Sequence, residues 1–150
     1  MSAKITQIAK IIWAAPGSAI GLLLGAGMLL FGGRARRGPG IIEFTWRQDR
    51  ESCGRVADSL RYRAITFGHV VLAVTASELE RMRAHELVHV RQYEHWGPGF
   101  LVAYPLSGFW QWIRGRGAYR DNPFEVQARR LSAEARSSEG EGPDTTARTG

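Results

Sequence analysis

Two histidines that stand four residues apart, His85 and His89, constrain the fold of this chain more than any other feature. Side chains at this spacing lie one above the other on one face of an α-helix, so the two imidazoles can converge on one zinc ion. Glu86 lies roughly 100° around the helix from His85, so its carboxylate can reach a water held by that ion without being a ligand itself. The segment therefore predicts a helix that carries two metal ligands and a base.

The residues on either side of the motif predict where this helix begins and ends. Thr75 and Glu78 have the spacing of a capping box, which starts a helix. The run Gly97-Pro98-Gly99 is expected to end it after Trp96. Both histidines then lie in the middle of the helix, where the helical geometry is held best.

A zinc site needs a third protein ligand, and two residues compete for that role. His95 follows His89 by six residues, but in a continuous helix its side chain points away from both imidazoles. Glu125 is the better candidate, because Asn122 can cap a second helix that carries Glu125 in its first turn. A glutamate at that spacing can also be an ordinary capping residue. We predict Glu125 as the third ligand, with His95 as the alternative.

These residues make the chain resemble the gluzincin metallopeptidases, in which a His-Glu-x-x-His helix is followed by a ligand glutamate on a second helix. The runs 85–92 and 122–128 also resemble small bacterial proteins with a minimal zincin-type core, and the resemblance covers residues 64–131. It implies that His85, His89 and Glu125 bind zinc and that Glu86 activates water for the hydrolysis of a peptide or protein substrate.

One position departs from the gluzincin pattern. Many gluzincins have an aspartate four residues after the ligand glutamate, which orients a zinc-bound histidine, whereas this chain has Arg129. Support for the histidines must then come from elsewhere, with Asp121 and Glu78 as candidates. The departure keeps a second interpretation open, in which the chain is a catalytically inactive, zinc-stabilised binding or scaffold protein at a membrane.

Catalysis would also need a hydrogen-bond donor to the oxyanion besides zinc. Tyr119, Tyr104, His95 and Arg120 are the candidates. Tyr119 is the first of them to test, because it lies nearest in sequence to Glu125.

Two segments before the motif helix predict a small antiparallel sheet that lies against it. Residues 64–74 are rich in β-branched side chains, and residues 41–46 alternate apolar and polar ones. We expect the 64–74 strand to pair with an extended peptide substrate, and Gly68 to mark a bulge or a close backbone approach. The expected fold class is α+β, with a minimal zincin-like core of this sheet, the motif helix and the second ligand helix, preceded by an N-terminal apolar helical segment.

Residues 11–31 carry no charge and are about long enough to cross a bilayer as one helix. Arg34, Arg36 and Arg37 follow directly, as in the basic flank of a membrane segment, and favour a cytoplasmic zinc domain. Residues 96–113 form a second uncharged stretch, which suits a helix at a membrane interface or on the core.

We therefore predict three regions. Residues 1–40 form a membrane anchor with a basic flank, residues 41–131 form the metal-binding domain, and residues 132–150 form a disordered tail.

The net charge of +6 raises the question of nucleic acid as a partner. The basic residues are scattered and no nucleic-acid-binding motif accompanies them, which argues against that partner and leaves a peptide or protein substrate and a membrane. The single cysteine, Cys53, excludes an internal disulfide and argues against a cysteine-based zinc site.

Overall fold

A computed structural model of the chain describes residues 3–47 and 64–140. Helices α1 (Ala3–Trp13) and α2 (Ala15–Leu30) precede strands β1 (Arg34–Gly38) and β2 (Ile41–Arg47). Strands β3 (Ala64–Phe67) and β4 (Val70–Thr75) lead into the long helix α3 (Ala76–Trp96). A 3-10 turn (Gly97–Gly99) connects α3 to α4 (Phe100–Ile113), and α5 spans Pro123–Gly140. The predicted α+β class is confirmed.

The four strands form one mixed sheet in the order β1-β2-β4-β3. The two outer pairs are antiparallel, but β2 and β4 run parallel, with Phe44 opposite Leu72. The prediction of a purely antiparallel sheet is therefore wrong. Residues Val70 to Ala73 of β4 are all buried, and a strand that is apolar on both faces belongs in the centre of a sheet covered on both sides.

The predicted 64–74 strand is a hairpin of two strands. Gly68 has a positive φ of 58° and the chain reverses there, so that Phe67 pairs with Val70. A Cβ atom on Gly68 would collide with Ser18 and with the carbonyl of Ala14. Gly68 therefore marks a turn as well as the predicted close backbone approach, and of the two hairpin strands only β3 lies at an edge of the sheet.

The sheet lies between two helical layers. Because successive side chains of a strand point to opposite faces, Val71 and Ala73 pack in a cluster with α3, while Val70 and Leu72 pack in a second cluster with Phe44 and with α2. Helix α5 packs against α3. The N-terminal apolar segment is thus one layer of the fold.

The uncharged segment 11–31 does not form one helix. Helix α1 ends at Trp13, and the chain bends by 64° before α2, which has Pro16 in its first turn. Within the described residues no single helix has both the length and the apolar character to cross a membrane. Helices α1 and α2 taken together are long and apolar enough, judged by length and composition alone. The segment that was expected to form one helix over 11–31 is therefore two helices.

Helix α5 extends to Gly140, beyond residue 132, where the disordered tail was predicted to begin. Ser132 is buried, and Arg130 and Glu134 form an ion pair of 3.4 Å along the helix, so this part of the chain has packing and local support. Residues 141–150 of the predicted tail and Cys53 lie outside the described residues.

Candidate metal centre

Helix α3 carries both histidines, and its predicted boundaries are confirmed. Thr75 is its N-cap, and the hydroxyl accepts a hydrogen bond of 3.2 Å from the backbone N–H of Glu78. The helix ends where Gly97 takes a positive φ of 55°. His85 and His89 lie in its buried central turns.

Helix α5 brings Glu125 to the histidines. The side chain of Asn122 accepts a hydrogen bond of 3.1 Å from the N–H of Phe124 and donates one of 3.1 Å to the carbonyl of Tyr104. This asparagine is almost fully buried, and it fixes the start of α5 to α4. The Glu125 carboxylate is thereby held in the interior beside α3.

The three side chains form a compact group that can hold a metal ion. The Nε2 atoms of His85 and His89 are 3.2 Å apart, and each lies 3.2–3.3 Å from one oxygen of Glu125. Ligand atoms placed tetrahedrally at 2.0–2.1 Å from zinc are separated from one another by about 3.3 Å. The group therefore has the spacing of three corners of a tetrahedral metal site.

The charge state of the group also suits a cation. Burial alone would raise the pKa of Glu125, but hydrogen bonds with His85 and His89 and from Tyr104 lower it well below the usual range. The Tyr104 hydroxyl donates to Oε1 over 2.7 Å, and Oε2 is buried 3.3 Å from Nε2 of His85. A buried, ionised oxygen of this kind is what a metal ion satisfies.

Gln92 orients His89. Its amide nitrogen donates to the carbonyl of Phe124 over 3.0 Å and to the side-chain oxygen of Gln127 over 2.8 Å. The amide oxygen must then face His89 Nδ1, 2.8 Å away, and accept its proton. Nε2 of His89 then faces the metal position, where it donates a proton to Glu125 when the imidazole is charged and offers its lone pair to a metal when the imidazole is neutral. Gln92 thus supplies the contact that orients a histidine, which Arg129 cannot supply. Asp121, one of the two residues expected to support the histidines, accepts a hydrogen bond from the backbone N–H of Gly117 instead.

Glu86 lies beside the group, almost fully buried. The hydroxyl of Thr66, on β3, donates a hydrogen bond of 2.7 Å to Glu86 Oε2. Burial raises the pKa of Glu86, while the neighbouring imidazoles and this hydrogen bond oppose the rise. A carboxylate with a raised pKa is a better proton acceptor than an exposed one.

A cleft of about 290 Å³ opens onto these residues. All four residues of the edge strand β3 line one side of it, and α4 contributes Phe100, Leu101, Tyr104 and Pro105. His85, Glu86, His89 and Glu125 lie in the same cleft, together with Tyr119. The cleft is mainly apolar apart from these polar groups, as small-molecule and peptide sites are.

Other residues singled out from the sequence lie elsewhere. His95 is exposed at the end of α3, outside the metal-binding group. Arg120 is exposed and pairs with Asp121. Arg129 approaches Glu125 Oε2 to 4.0 Å and donates to the carbonyl of Arg120.

Thr66 was not anticipated, because nothing local in a β-rich run indicates which hydroxyl will face a helix. Gln92 had a signal in the sequence, since it follows His89 by three residues on the same helical face. Comparison of the chain with models of known protein families, with curated proteins and with solved structures gave no match.

Proposed function

We propose that this chain is a zinc-dependent metallopeptidase of gluzincin type. The observation that carries the proposal is the spacing of His85, His89 and Glu125, which suits tetrahedral zinc, in a cleft that also holds a buried carboxylate, Glu86. Two imidazoles and one carboxylate are a ligand set typical of hydrolytic zinc sites with an open fourth position.

Bound zinc would lower the pKa of its water to about 7 and polarise the substrate carbonyl. Glu86 would accept a proton from the attacking water and deliver it to the leaving amine. Thr66 holds one carboxylate oxygen of Glu86 by its hydrogen bond, which keeps the other oriented for this transfer. The chemistry is thus assigned to one base on the metal-bearing helix.

A tyrosine in the cleft would stabilise the oxyanion. Burial, the charge of Glu125 and a hydrogen bond with Glu125 raise the pKa of Tyr119, so its hydroxyl stays protonated. Tyr119 and Tyr104 both line the cleft, and both hydroxyls hydrogen-bond to Glu125. We keep Tyr119 as the first candidate for this role, because it lies nearest in sequence to Glu125, and its hydroxyl would turn from Glu125 to the oxyanion.

Strand β3 suits the binding of an extended peptide. It is an edge strand, since β4 pairs with it on one side and no described strand pairs with it on the other. An extended substrate can add to such an edge through backbone hydrogen bonds. The scissile bond would then lie beside the metal and Glu86, because β3 and these groups line the same cleft.

The experiment that tests the proposal separates metal binding from turnover. The full chain and its Glu86→Gln variant are loaded with zinc and assayed on a fluorogenic peptide library rich in apolar residues. We expect Glu86→Gln to retain zinc and to lose at least about a thousandfold in rate, because the shape is kept but the base is removed. Equal turnover by the two proteins, or no zinc-dependent turnover by either, would contradict the proposal.

The alternative is a zinc-stabilised binding or scaffold protein without catalysis. It is favoured by one observation, the position of Arg129 within 4.0 Å of the ligand carboxylate, where a gluzincin has an acidic residue. It predicts that zinc removal lowers thermal stability while Glu86→Gln changes no measured function.

A further inference from the structure

Helix α2 carries no charged residue, and it places small residues inward and most of its large apolar residues outward. Its buried positions are the glycines Gly17, Gly21 and Gly25, which approach the rest of the fold closely. Its leucines point outward, with Leu23 75% and Leu30 86% exposed. A helix of this composition normally buries its leucines, so the outer face of α2 requires an apolar environment outside the chain.

Helix α4 has the same character. One of its faces contributes to the metal cleft through Phe100 and Tyr104. The opposite face exposes five large apolar side chains, at the helical spacing i, i+4, i+7, i+8 and i+11: Val102, Leu106, Phe109, Trp110 and Ile113.

Helix α1 extends this surface. Ile5, Ile8 and Ile12 are more than half exposed, and Trp13 packs against Gly97 just before α4. Ala14, at the bend between α1 and α2, shares a core cluster with Phe100 of α4. The three helices therefore meet at one place, and their outward side chains make up most of the exposed large apolar residues in the described part of the chain.

The charges that flank these helices in the sequence are of one sign, although three of the cations pair with acidic residues elsewhere in the fold: Lys10 with Glu94, Arg36 with Glu43 and Arg120 with Asp121. Residues 1–42 contain no aspartate or glutamate, and neither do residues 97–120. The same two regions contain eight lysines and arginines: Lys4, Lys10, Arg34, Arg36, Arg37, Arg114, Arg116 and Arg120. An apolar surface with only cations beside it in sequence matches a bilayer that contains anionic lipid better than it matches another protein surface.

The packing of α2 argues for a position at the bilayer surface. Gly21 approaches Val70 and Phe67, and Gly25 approaches Phe44, so the sheet covers one side of the helix along most of its length. If α2 crossed the hydrocarbon, it would carry this sheet and its exposed arginine-rich edge strand β1 into lipid, where unpaired backbone groups are costly.

We propose that α1, α2 and α4 lie with their outward apolar faces in the surface of an anionic bilayer, without crossing it. Helix α4 then has lipid on one face and the metal cleft on the other, which places the cleft about one helix diameter, roughly 10 Å, from the bilayer. From this geometry we assign the substrate class as polypeptides that are anchored in the membrane or adsorbed to it. This assignment rests on the proposed peptidase activity.

The binding claim is tested with the purified full chain, detergent-free, and sedimented vesicles of phosphatidylcholine with and without phosphatidylglycerol. We expect binding that increases with phosphatidylglycerol, and at least about a tenfold loss in a Leu23→Lys/Leu30→Lys double variant, because two exposed leucines become charged. Val126→Lys is the matched control, since Val126 is 49% exposed but lies on α5, and it should bind like the parent. Circular dichroism confirms that each variant is folded.

Several outcomes would overturn this claim. One is a parent chain that fails to bind vesicles, and another is a double variant that binds them as well as the parent does. A third such outcome is a parent chain that forms a discrete dimer and does not bind vesicles, with the dimer lost in the double variant. Resistance to extraction by alkaline carbonate would replace surface docking with a membrane span. None of these measurements needs catalysis, so they succeed or fail independently of the peptidase proposal.

The substrate claim is tested with one fluorogenic peptide, with and without an acyl chain that anchors it in the same vesicles. We expect vesicles to speed cleavage of the acylated peptide by the parent, and the double leucine variant to lose this gain while it cleaves the free peptide at the parental rate. An equal gain in both proteins would contradict the substrate assignment. Absence of cleavage of either peptide would refute the peptidase proposal and, with it, the substrate class, while leaving the vesicle-binding result to stand.

Discussion

Gln92 has a role that can be measured separately from that of the ligands. Because its amide oxygen accepts the Nδ1 proton of His89, Gln92→Leu should weaken zinc affinity by about 10- to 100-fold, measured by competition with a chelator. Gln92→Glu keeps an acceptor at this position and should recover most of the affinity. Arg91→Ala, on the exposed side of the same helix, is the matched control and should bind zinc like the parent. Parental affinity in a folded Gln92→Leu variant would contradict the role.

The pH dependence of the metal-free chain follows from the same residues. Burial lowers the pKa of His89, but its hydrogen bond with Glu125 raises it overall, and burial raises the pKa of Glu86. A group whose pKa is higher in the folded chain than in the unfolded chain stabilises the fold at pH values below its unfolded-state pKa. This contribution is lost as the pH rises through the folded-state pKa of the group. The lowered pKa of Glu125 acts oppositely, and its contribution is lost only in acid.

Zinc binding has the opposite dependence on pH near neutrality, because the metal needs neutral imidazoles. The rise in melting temperature caused by zinc should therefore grow between about pH 5 and about pH 8. Thermal unfolding with zinc and with a chelator, measured side by side across this range, checks the prediction. A stabilisation by zinc that shrinks with rising pH would contradict it.

At the scale of single residues, the sequence predicted the members of the metal group well. The spacing of His85 and His89 depends only on helical geometry, and the Asn122 cap placed Glu125 at the start of a helix. The contact of Thr66 with Glu86 could not be predicted, because it joins residues from a strand and a helix whose pairing depends on the whole sheet.

At the scale of elements, the glycines of α2 provide a matched test of how the helix packs. A Cβ on Gly21 would lie 2.6 Å from the Cβ of Val70, whereas one on Gly27 has nothing within 4 Å. Gly21→Ala should therefore destabilise the fold by roughly 1–3 kcal/mol through overpacking, and Gly27→Ala should be neutral or stabilising by about 0.5–1 kcal/mol. Denaturant unfolding measures both. Equal effects of the two substitutions would show that α2 does not pack on the sheet through its glycines.

The elements themselves were predicted unevenly. Helix α3 carries strong cap signals at both ends and was located correctly. The continuous apolar residues of the run 64–74 predict one strand, although glycine in the first position of a two-residue turn is a known hairpin signal. The segment 11–31 has the length of a single membrane helix, whereas the structure divides it at Ala14, bends it by 64° and packs the glycines of α2 on the sheet.

At the scale of the whole molecule, helices α2 and α3 lie on opposite faces of one sheet. Local patterns could not predict this, because the parallel pairing of β2 with β4 joins segments that are distant in the chain. The arrangement predicts that a fragment lacking residues 1–37 fails to fold, since α2 covers Phe44, Val70 and Leu72. Circular dichroism and proteolysis of that fragment check this, and a folded, zinc-binding fragment would contradict it.

The metal content of the purified full chain tests the account most directly. Elemental mass spectrometry should find about one zinc per chain in the parent and in His95→Ala, and far less in Glu125→Ala and in His89→Ala. Such a pattern would place the metal between α3 and α5. A folded parent with no stoichiometric zinc after loading, or a Glu125→Ala variant that retains zinc as well as His95→Ala does, would contradict the account.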